Sequence, residues 1–172
     1  MSNLPVPETF DIDCRKCTRL ATFLDSVRVE QPDYHAAPVP AFGDKKPHLL
    51  IVGLAPGMHG ANRTGRPFTG DFAGILLYQT LFDLGLSNRP TSESADDALQ
   101  LNGVRISNAV KCLPPQNKPE TVEIKNCNHF LKNEIATLPD DCKLLALGKI
   151  AHDAVLRAYD LKLSALKFAH AA

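Results

Sequence analysis

The residue types best suited to chemistry begin with the cysteines. Cys14 and Cys17 are separated by two residues, and Cys112 and Cys127 are separated by fourteen. If the fold brings the two pairs together, four thiolates can hold a [4Fe–4S] cluster or a structural zinc ion. The alternative is that some of these residues are ordinary buried cysteines. Cys142, which precedes an apolar run, is interpreted as a spare thiol of the core.

A long loop rich in glycine and proline is the second stretch suited to chemistry. It follows the unbroken apolar run Leu49–Val52, which is typical of a strand buried on both faces, and helical spacing resumes at Phe72. In α/β proteins, a strand, a glycine-rich loop and a helix in this order form ligand sites at the carboxyl end of the sheet. The loop residues that let a backbone approach a bound group and hold a fixed path there are Pro56, Gly57, Gly60, Gly65, Pro67 and Gly70.

The remaining pattern predicts the elements that position these residues. Apolar runs and alternation predict strands at residues 49–52, 104–110 and 143–148. Helical spacing predicts helices at residues 18–27, 72–85, 121–138 and 150–158, whereas residues 31–47 have the composition of a loop. Strands that alternate with helices predict an α/β protein whose parallel sheet is covered on both faces.

Length and composition bound the class of protein. The 172 residues suffice for one domain with a sizeable core, so a single domain over residues 1–172 is predicted. Lys+Arg and Asp+Glu both number 19, so a polyanionic partner requires a local basic patch. No apolar run reaches membrane-spanning length and the N-terminus lacks the layout of a secretory signal, so a cytoplasmic protein is expected. In that reducing compartment, the five cysteines favour metal or redox chemistry over disulfides.

Two motifs resemble a known enzyme family. Residues 53–57, GLAPG, and residues 59–71, HGANRTGRPFTGD, closely resemble the first motif region of the family 5 (type b) uracil-DNA glycosylases. Residues 107–112, SNAVKC, resemble that family's second motif, and the four cysteines match the cluster ligands shared by families 4 and 5, which favours iron–sulfur over zinc. The resemblance implies a three-layer α/β/α sandwich and an enzyme that hydrolyses the bond joining uracil to its sugar in DNA.

The resemblance also implies roles for residues that would hold the base. A glycosylase takes its target base out of the duplex and holds it in a pocket. Phe68 is then the residue that stacks on the base; alternatively it is a core aromatic that covers the end of the sheet. Asn108 would read the base edge, or else bond to local backbone. Gly53, Leu54 and Ala55 would line the pocket through backbone groups, and tolerance of other deaminated bases is expected because positions 54 and 55 lack polar side chains.

For further residues of the two motifs, two roles are possible. Asp71 would position water or stabilise the sugar cation, although an Asp before a helical run is also a common N-cap. Asn62, Arg63 and Arg66 would contact the DNA backbone or brace the loop. Lys111 would extend a basic strip beside DNA, or be a solvated surface residue.

One motif of the family has no counterpart in this sequence. The family carries a His-x-Ser-x-x-Asn loop near its carboxyl end, whereas His170 is followed only by two alanines. The chain is therefore expected to be truncated before this motif, with the closing part of the sheet missing. The leading hypothesis is a monomeric DNA repair glycosylase that acts on DNA containing uracil or other deaminated bases, and the alternative is a catalytically impaired, DNA-binding remnant of one. A nucleotide-binding module is disfavoured because the loop lacks the Gly-Lys-Ser/Thr ending of a P-loop.

Overall fold

The sheet is built from three parallel strands and one short antiparallel strand. A computed structural model describes residues 8–170. Within that part of the chain the strands are β1 (Phe42–Gly43), β2 (Leu49–Gly53), β3 (Val104–Asn108) and β4 (Lys143–Ala146), in the spatial order β1-β3-β2-β4. Strand β2 pairs in parallel with β3 and with β4, as predicted. The loop predicted at residues 31–47 is corrected, because β1 pairs antiparallel with β3.

Glycine explains why a strand forms in that loop. Gly43 has φ +117°, a conformation that residues with a side chain rarely adopt, and a methyl group there would overlap the carbonyl of Val104. Only glycine lets the chain run this close to β3. Because β1 has two residues, it left no alternating pattern in the sequence.

The helices lie where helical spacing predicts them, to within a few residues, except for one short helix in the glycine-rich loop. Helix α3 begins at the cap residue Asp71, and α4 begins with a capping box between Glu120 and Glu123. No described helix is long and apolar enough to cross a membrane. The helices are α1 (Thr18–Glu30), α2 (Ala61–Thr64), α3 (Phe72–Asp83), α4 (Thr121–Ala136) and α5 (Lys149–Ala158), and a 3-10 turn spans Pro115–Asn117.

The side chains of β2 alternate between the two faces of the sheet and contribute to two separate hydrophobic cores. Leu50 and Val52 are buried against α4 and α5 on one face of the sheet. Ile51 is buried with Ile106 and the α3 residue Tyr78 on the other face. Successive side chains of a strand point to opposite faces, so one apolar run supplies both cores. The predicted three-layer α/β/α sandwich is confirmed, and its sheet is mixed.

The carboxyl ends of β2 and β3 lie side by side. Gly53 is paired in register with Asn108. The pairing continues beyond the strands, because the amide of Ala109 donates to the carbonyl of Gly53 at 2.9 Å and the amide of Val110 donates to that of Leu54 at 3.0 Å. The two motifs therefore emerge at the same edge of the sheet, where open α/β sheets bind ligands.

Candidate active site

A broad cleft lies at this carboxyl edge, between the loop after β2 and helix α3. Its volume is about 1080 Å³, larger than a single nucleobase requires. Most of its lining is apolar, and a few polar side chains reach it from separate elements. The lining includes Leu54, Ala55, Phe68, Asp71, Asn108 and Asn117.

Gly53 allows an aromatic ring and a carboxamide to meet in the cleft. A methyl group built on Gly53 would lie 2.6 Å from Asn108 Oδ1 and 2.6 Å from Phe68 Cζ, closer than real contacts allow. The ring and the amide therefore both approach the same point on the backbone. A planar ligand at this point would meet a ring face and a hydrogen-bonding edge together.

The carboxamide of Asn108 is buried without a protein partner for its oxygen. Asn108 is 3% exposed, and its Oδ1 accepts no hydrogen bond from any residue of the 8–170 range. An unpaired buried polar atom costs about 1–3 kcal/mol, and a ligand or a water molecule in the cleft can supply the missing donor. The alternative that Asn108 bonds to local backbone through this atom is wrong for this structure.

Phe68 has a backbone conformation that side chains disfavour. Its φ of +54° lies in the left-handed region, which costs about 1–3 kcal/mol for a residue other than glycine. Strain of this kind persists where the surroundings enforce it, commonly at functional sites. The strained residue here is the one whose ring lies against Gly53 and lines the cleft.

Asp71 has one oxygen committed to the helix and a second directed to the cleft. Its Oδ1 accepts a hydrogen bond from the amide of Gly74 at 3.0 Å, so the N-cap interpretation is confirmed. A methyl group on Gly57 would lie 3.6 Å from Oδ2, and one on Gly60 would overlap Oδ2. Oδ2 thus faces the glycine-rich loop and has no hydrogen-bond partner in the described part of the chain. Asp71 can cap α3 and act on a ligand at once.

Asn62 and Arg66, for which DNA contact and bracing of the loop were the two alternatives, are both buried, which argues against DNA contact. Arg66 is 4% exposed and donates to Asp97 Oδ1 at 2.6 Å and to the carbonyl of Ala95 at 2.7 Å. Asn62 is fully buried on α2. Neither side chain can reach a DNA backbone, so Arg66 braces the loop instead. Arg63 is exposed, and its Nε donates to the carbonyl of His59 at 2.7 Å.

Lys111 also lies inside the protein and not on a basic strip. Its Nζ donates to Ser107 Oγ and lies 3.4 Å from Glu134 Oε2, while Arg105 Nε is 2.6 Å from Glu134 Oε1. Burial favours the neutral Glu134, but the Lys111 and Arg105 cations outweigh it and lower the pKa of Glu134. This buried cluster fastens the end of β3 to α4.

Asp97 gives the braced loop a dependence on pH. Burial of the Asp97 carboxyl opposes ionisation, but hydrogen bonds from the Glu93 amide and from Arg66 outweigh it and lower the pKa of Asp97 from 3.8 to about 2. The stability contributed by a carboxyl with a lowered pKa is present above its ordinary pKa and is lost as pH falls through the lowered one. We therefore expect the free energy of unfolding to lose about 2 kcal/mol from this group between about pH 5 and pH 2.

Denaturant unfolding at a series of pH values measures this loss. Asp97→Asn removes the titrating group, so its stability is expected to fall less steeply over the same range. Asp140→Asn, which alters an exposed carboxyl outside this loop, provides the control. Equal steepness in wild type and Asp97→Asn would contradict the assignment.

Asn117 is a polar residue of the cleft that the sequence pattern did not predict there. Asn117 lines the cleft from the 3-10 turn between β3 and α4, and its φ is +56°. Gln116 before it also has φ +56°. Two successive left-handed residues hold this turn against the cleft. In the sequence, the prolines of residues 114–119, PPQNKP, indicate a restricted backbone at this position.

The four cysteines of the two pairs line one small cavity beside α1. Cys14 and Cys17 lie on one side, and Cys112 and Cys127 come from the end of the second motif and from α4. Two polar groups donate to sulfur, the Lys111 amide to Cys127 Sγ at 3.3 Å and Asn126 Nδ2 to Cys17 Sγ at 3.7 Å. Burial and the neighbouring thiols raise the pKa of Cys112 to about 12.

Among residues 8–170, no three His, Cys, Asp or Glu side chains are placed to hold a single ion. Zinc requires four ligands at about 2.3 Å from one centre. Cys142 is absent from the cavity lining, as expected for a spare thiol.

Comparisons with known proteins agree with the motifs. A family model described as "Uracil DNA glycosylase superfamily" matches residues 40–171. The chain is 44% identical over 164 residues to a type-5 uracil-DNA glycosylase of Thermus thermophilus, a match that covers 92% of this chain and 74% of the relative. It is 41% identical over 160 residues to the type-5 enzyme of Pyrobaculum aerophilum, covering 91% and 70%. With the type-5 enzyme of Mycobacterium tuberculosis it shares 44% identity over 152 residues, covering 84% and 56%.

Proposed function

The chain belongs to the uracil-DNA glycosylase superfamily, and we propose that it removes uracil from DNA by hydrolysing the bond between the base and its deoxyribose. One observation carries this proposal for the chain itself. An aromatic ring, an unpaired carboxamide oxygen and a free carboxylate oxygen, from Phe68, Asn108 and Asp71, line a single cleft at the carboxyl edge of the sheet.

The first step is the binding of a base that has left the duplex stack. The Phe68 ring offers a face on which a base can stack, in a cleft wide enough to admit a nucleotide with its sugar. Asn108 Oδ1 needs a hydrogen-bond donor, and the ring N–H of uracil supplies one beside a carbonyl that can accept from Asn108 Nδ2.

The same reasoning supports a wider range of damaged bases. Deamination converts an amino group and a ring acceptor into a carbonyl and a ring N–H, so deaminated purines offer Asn108 the same kind of edge. Leu54 and Ala55, which line the cleft, have no polar side chain that could select against the larger rings. Tolerance of deaminated purines beside uracil is therefore part of the proposal.

The chemical step requires stabilisation of two opposite charges. When the bond from the sugar C1′ to the base nitrogen breaks, positive charge develops on the sugar and negative charge on the base. Asp71 Oδ2 can stabilise the sugar cation or orient a water molecule towards C1′. That water adds its hydroxyl to C1′ and releases a proton to solvent, and the departing base takes up a proton. No covalent intermediate with the protein is required.

Contacts to the DNA backbone belong to the exposed part of the first motif. Arg63 remains accessible there, and a cation in this position favours phosphate and gives binding that weakens as salt rises. We propose that the chain acts on DNA as a cytoplasmic monomer.

We further propose that the four cysteines hold a [4Fe–4S] cluster. The donor set of the thiol cavity supports this group, because the four thiols that line it are the ligand type that would hold such a cluster. Thiols crowded into a buried cavity resist ionisation unless a cation neutralises them. When bound, the cluster supplies a cross-link among the segment before α1, the second motif and α4.

The cluster is tested by replacing one ligand and one thiol outside the cavity. Cys112→Ser is expected to abolish the visible absorbance of the purified protein and to lower its iron and acid-labile sulfide to background. Cys142→Ser is the matched control and should retain all three. Stoichiometric zinc without sulfide in the wild type would refute an iron–sulfur site.

The function is tested by incubating the protein with a duplex that carries a single labelled uracil. Release of free uracil, with an abasic site left in the strand, is expected, and the same duplex with thymine at that position should remain intact. If the protein bound the uracil duplex but released no base, the chain would be a DNA-binding protein and not a glycosylase.

A further inference from the structure

The strained backbone of Phe68 is held in place from both sides. Pro67, before it, accepts hydrogen bonds at its carbonyl from Tyr78 Oη at 2.8 Å and from Thr69 Oγ1 at 3.2 Å. Thr69, after it, is fully buried and lies 2.7 Å from Ser92 Oγ through its hydroxyl. Because both neighbours are fixed, Phe68 cannot relax to a negative φ without breaking buried hydrogen bonds.

These fixing groups lead to residues 89–99, a segment outside the cleft. Arg66, one residue before Pro67, donates from Nη1 to Ser92 Oγ at 3.1 Å and to Asp97 Oδ1 at 2.6 Å. Its guanidinium also stacks 4.3 Å from the centre of the Phe42 ring. The buried arginine therefore joins the loop that carries Phe68 to a distant part of the chain.

The 89–99 segment is folded around the carboxylate that receives this arginine. Asp97 Oδ2 accepts from the amides of Glu93 at 2.8 Å and Ser94 at 3.4 Å, and Oδ1 accepts from the amide of Leu99 at 3.0 Å. The side chains of Arg66 and Asp97 are 5% and 9% exposed. None of these residues lines the cleft, so their effect on a ligand must pass through the loop.

We propose that Asp97 is a positioning residue for base binding, which through Arg66 and the Ser92–Thr69 hydrogen bond holds the Phe68 ring in the orientation that stacks on the extrahelical base. The inference rests on the proposed function and adds a determinant that neither touches the base nor lines the cleft. The inference also explains the strained backbone of Phe68, because a Phe68 with a negative φ would direct its ring away from Gly53 and Asn108.

The test is a double-substitution cycle in single-turnover excision from a uracil duplex. Asp97→Asn is expected to raise the protein concentration needed for half-maximal rate by about tenfold, while the maximal rate changes by less than about threefold. Asp96→Asn, beside it on the same segment, is exposed and accepts a hydrogen bond from Ser94 Oγ, and it should behave as wild type. In a Phe68→Ala background, Asp97→Asn should cause no further rise, because the ring it positions is gone.

A purely structural role gives a different outcome. If Asp97→Asn weakened binding as strongly in the Phe68→Ala background as in wild type, or matched Asp96→Asn, the proposal would be overturned. Should Asp97→Asn fail to fold, Ser92→Ala, which removes the hydrogen bonds to Arg66 and Thr69 without altering charge, replaces it in the same cycle. A wild-type protein that releases no uracil would contradict both the proposed function and this inference. An active wild type in which the effects of Asp97→Asn and Phe68→Ala simply add would contradict only the inference.

Discussion

Replacing Asn108 with alanine is expected to slow single-turnover release of uracil by about 10²–10³-fold. The carboxamide lies against Gly53 and Phe68, and its Oδ1 has no partner in the described chain, so in the proposed function the base supplies its missing donor. Its removal leaves the base edge unpaired in the cleft while stacking continues. The measurement is the rate of uracil release from a labelled duplex at saturating protein.

Asn102→Ala supplies the matched control for this substitution. Asn102 is exposed and precedes β3, at the end of the strand remote from the cleft. It should release uracil at the wild-type rate and melt at the wild-type temperature. Release by Asn108→Ala within a few-fold of wild type would remove Asn108 from the site.

Replacing Asp71 with asparagine is expected to slow uracil release by about 10²-fold with little change in stability. Asparagine caps a helix as well as aspartate does, so the hydrogen bond from the Gly74 amide is retained. Only the negative charge of the cleft-facing oxygen is lost. The reaction then proceeds without a charge that stabilises the developing sugar cation.

Asp71→Ala separates the two roles of this carboxylate. It removes both oxygens, so it should be as slow as Asp71→Asn and should also lose about 1 kcal/mol of stability with the cap. Thermal melting and single-turnover rates of the two variants measure the two effects. Wild-type activity in Asp71→Asn, with activity lost only in Asp71→Ala, would show that the residue matters solely as a cap.

Local pattern was enough to predict the three parallel strands and the four longer helices around the site. The apolar run Leu49–Val52 can be satisfied only by burial on both faces, and the helical spacing that resumes at Phe72 leaves a loop at the strand end. Parallel strands place their carboxyl ends together, which brought Asn108 next to Gly53. Residues at strand ends were therefore predictable as neighbours.

Roles that depend on distant partners could not be predicted in this way. Arg66 reads as a surface cation in a polar loop, and only the fold brings Asp97, 31 residues away, to its guanidinium. Lys111 is likewise drawn inside by Glu134, 23 residues away. Asn117 faces the cleft because Gln116 and Asn117 both have a left-handed backbone, which hydrophobic periodicity does not predict. The role of a charged or strained residue depends on contacts with residues distant in sequence, whereas hydrophobic spacing can be recognised from the local sequence.

In the proposed function, the cleft holds a uracil that has left the DNA duplex. The most direct measurement is a crystal structure of the protein with a duplex carrying a single 2′-fluorinated deoxyuridine, whose glycosidic bond resists hydrolysis. We expect the uracil ring stacked on Phe68, its N–H directed at Asn108 Oδ1, and its sugar C1′ facing Asp71 Oδ2. A uracil that stayed stacked in the duplex, or that occupied a site away from these three residues, would contradict the account.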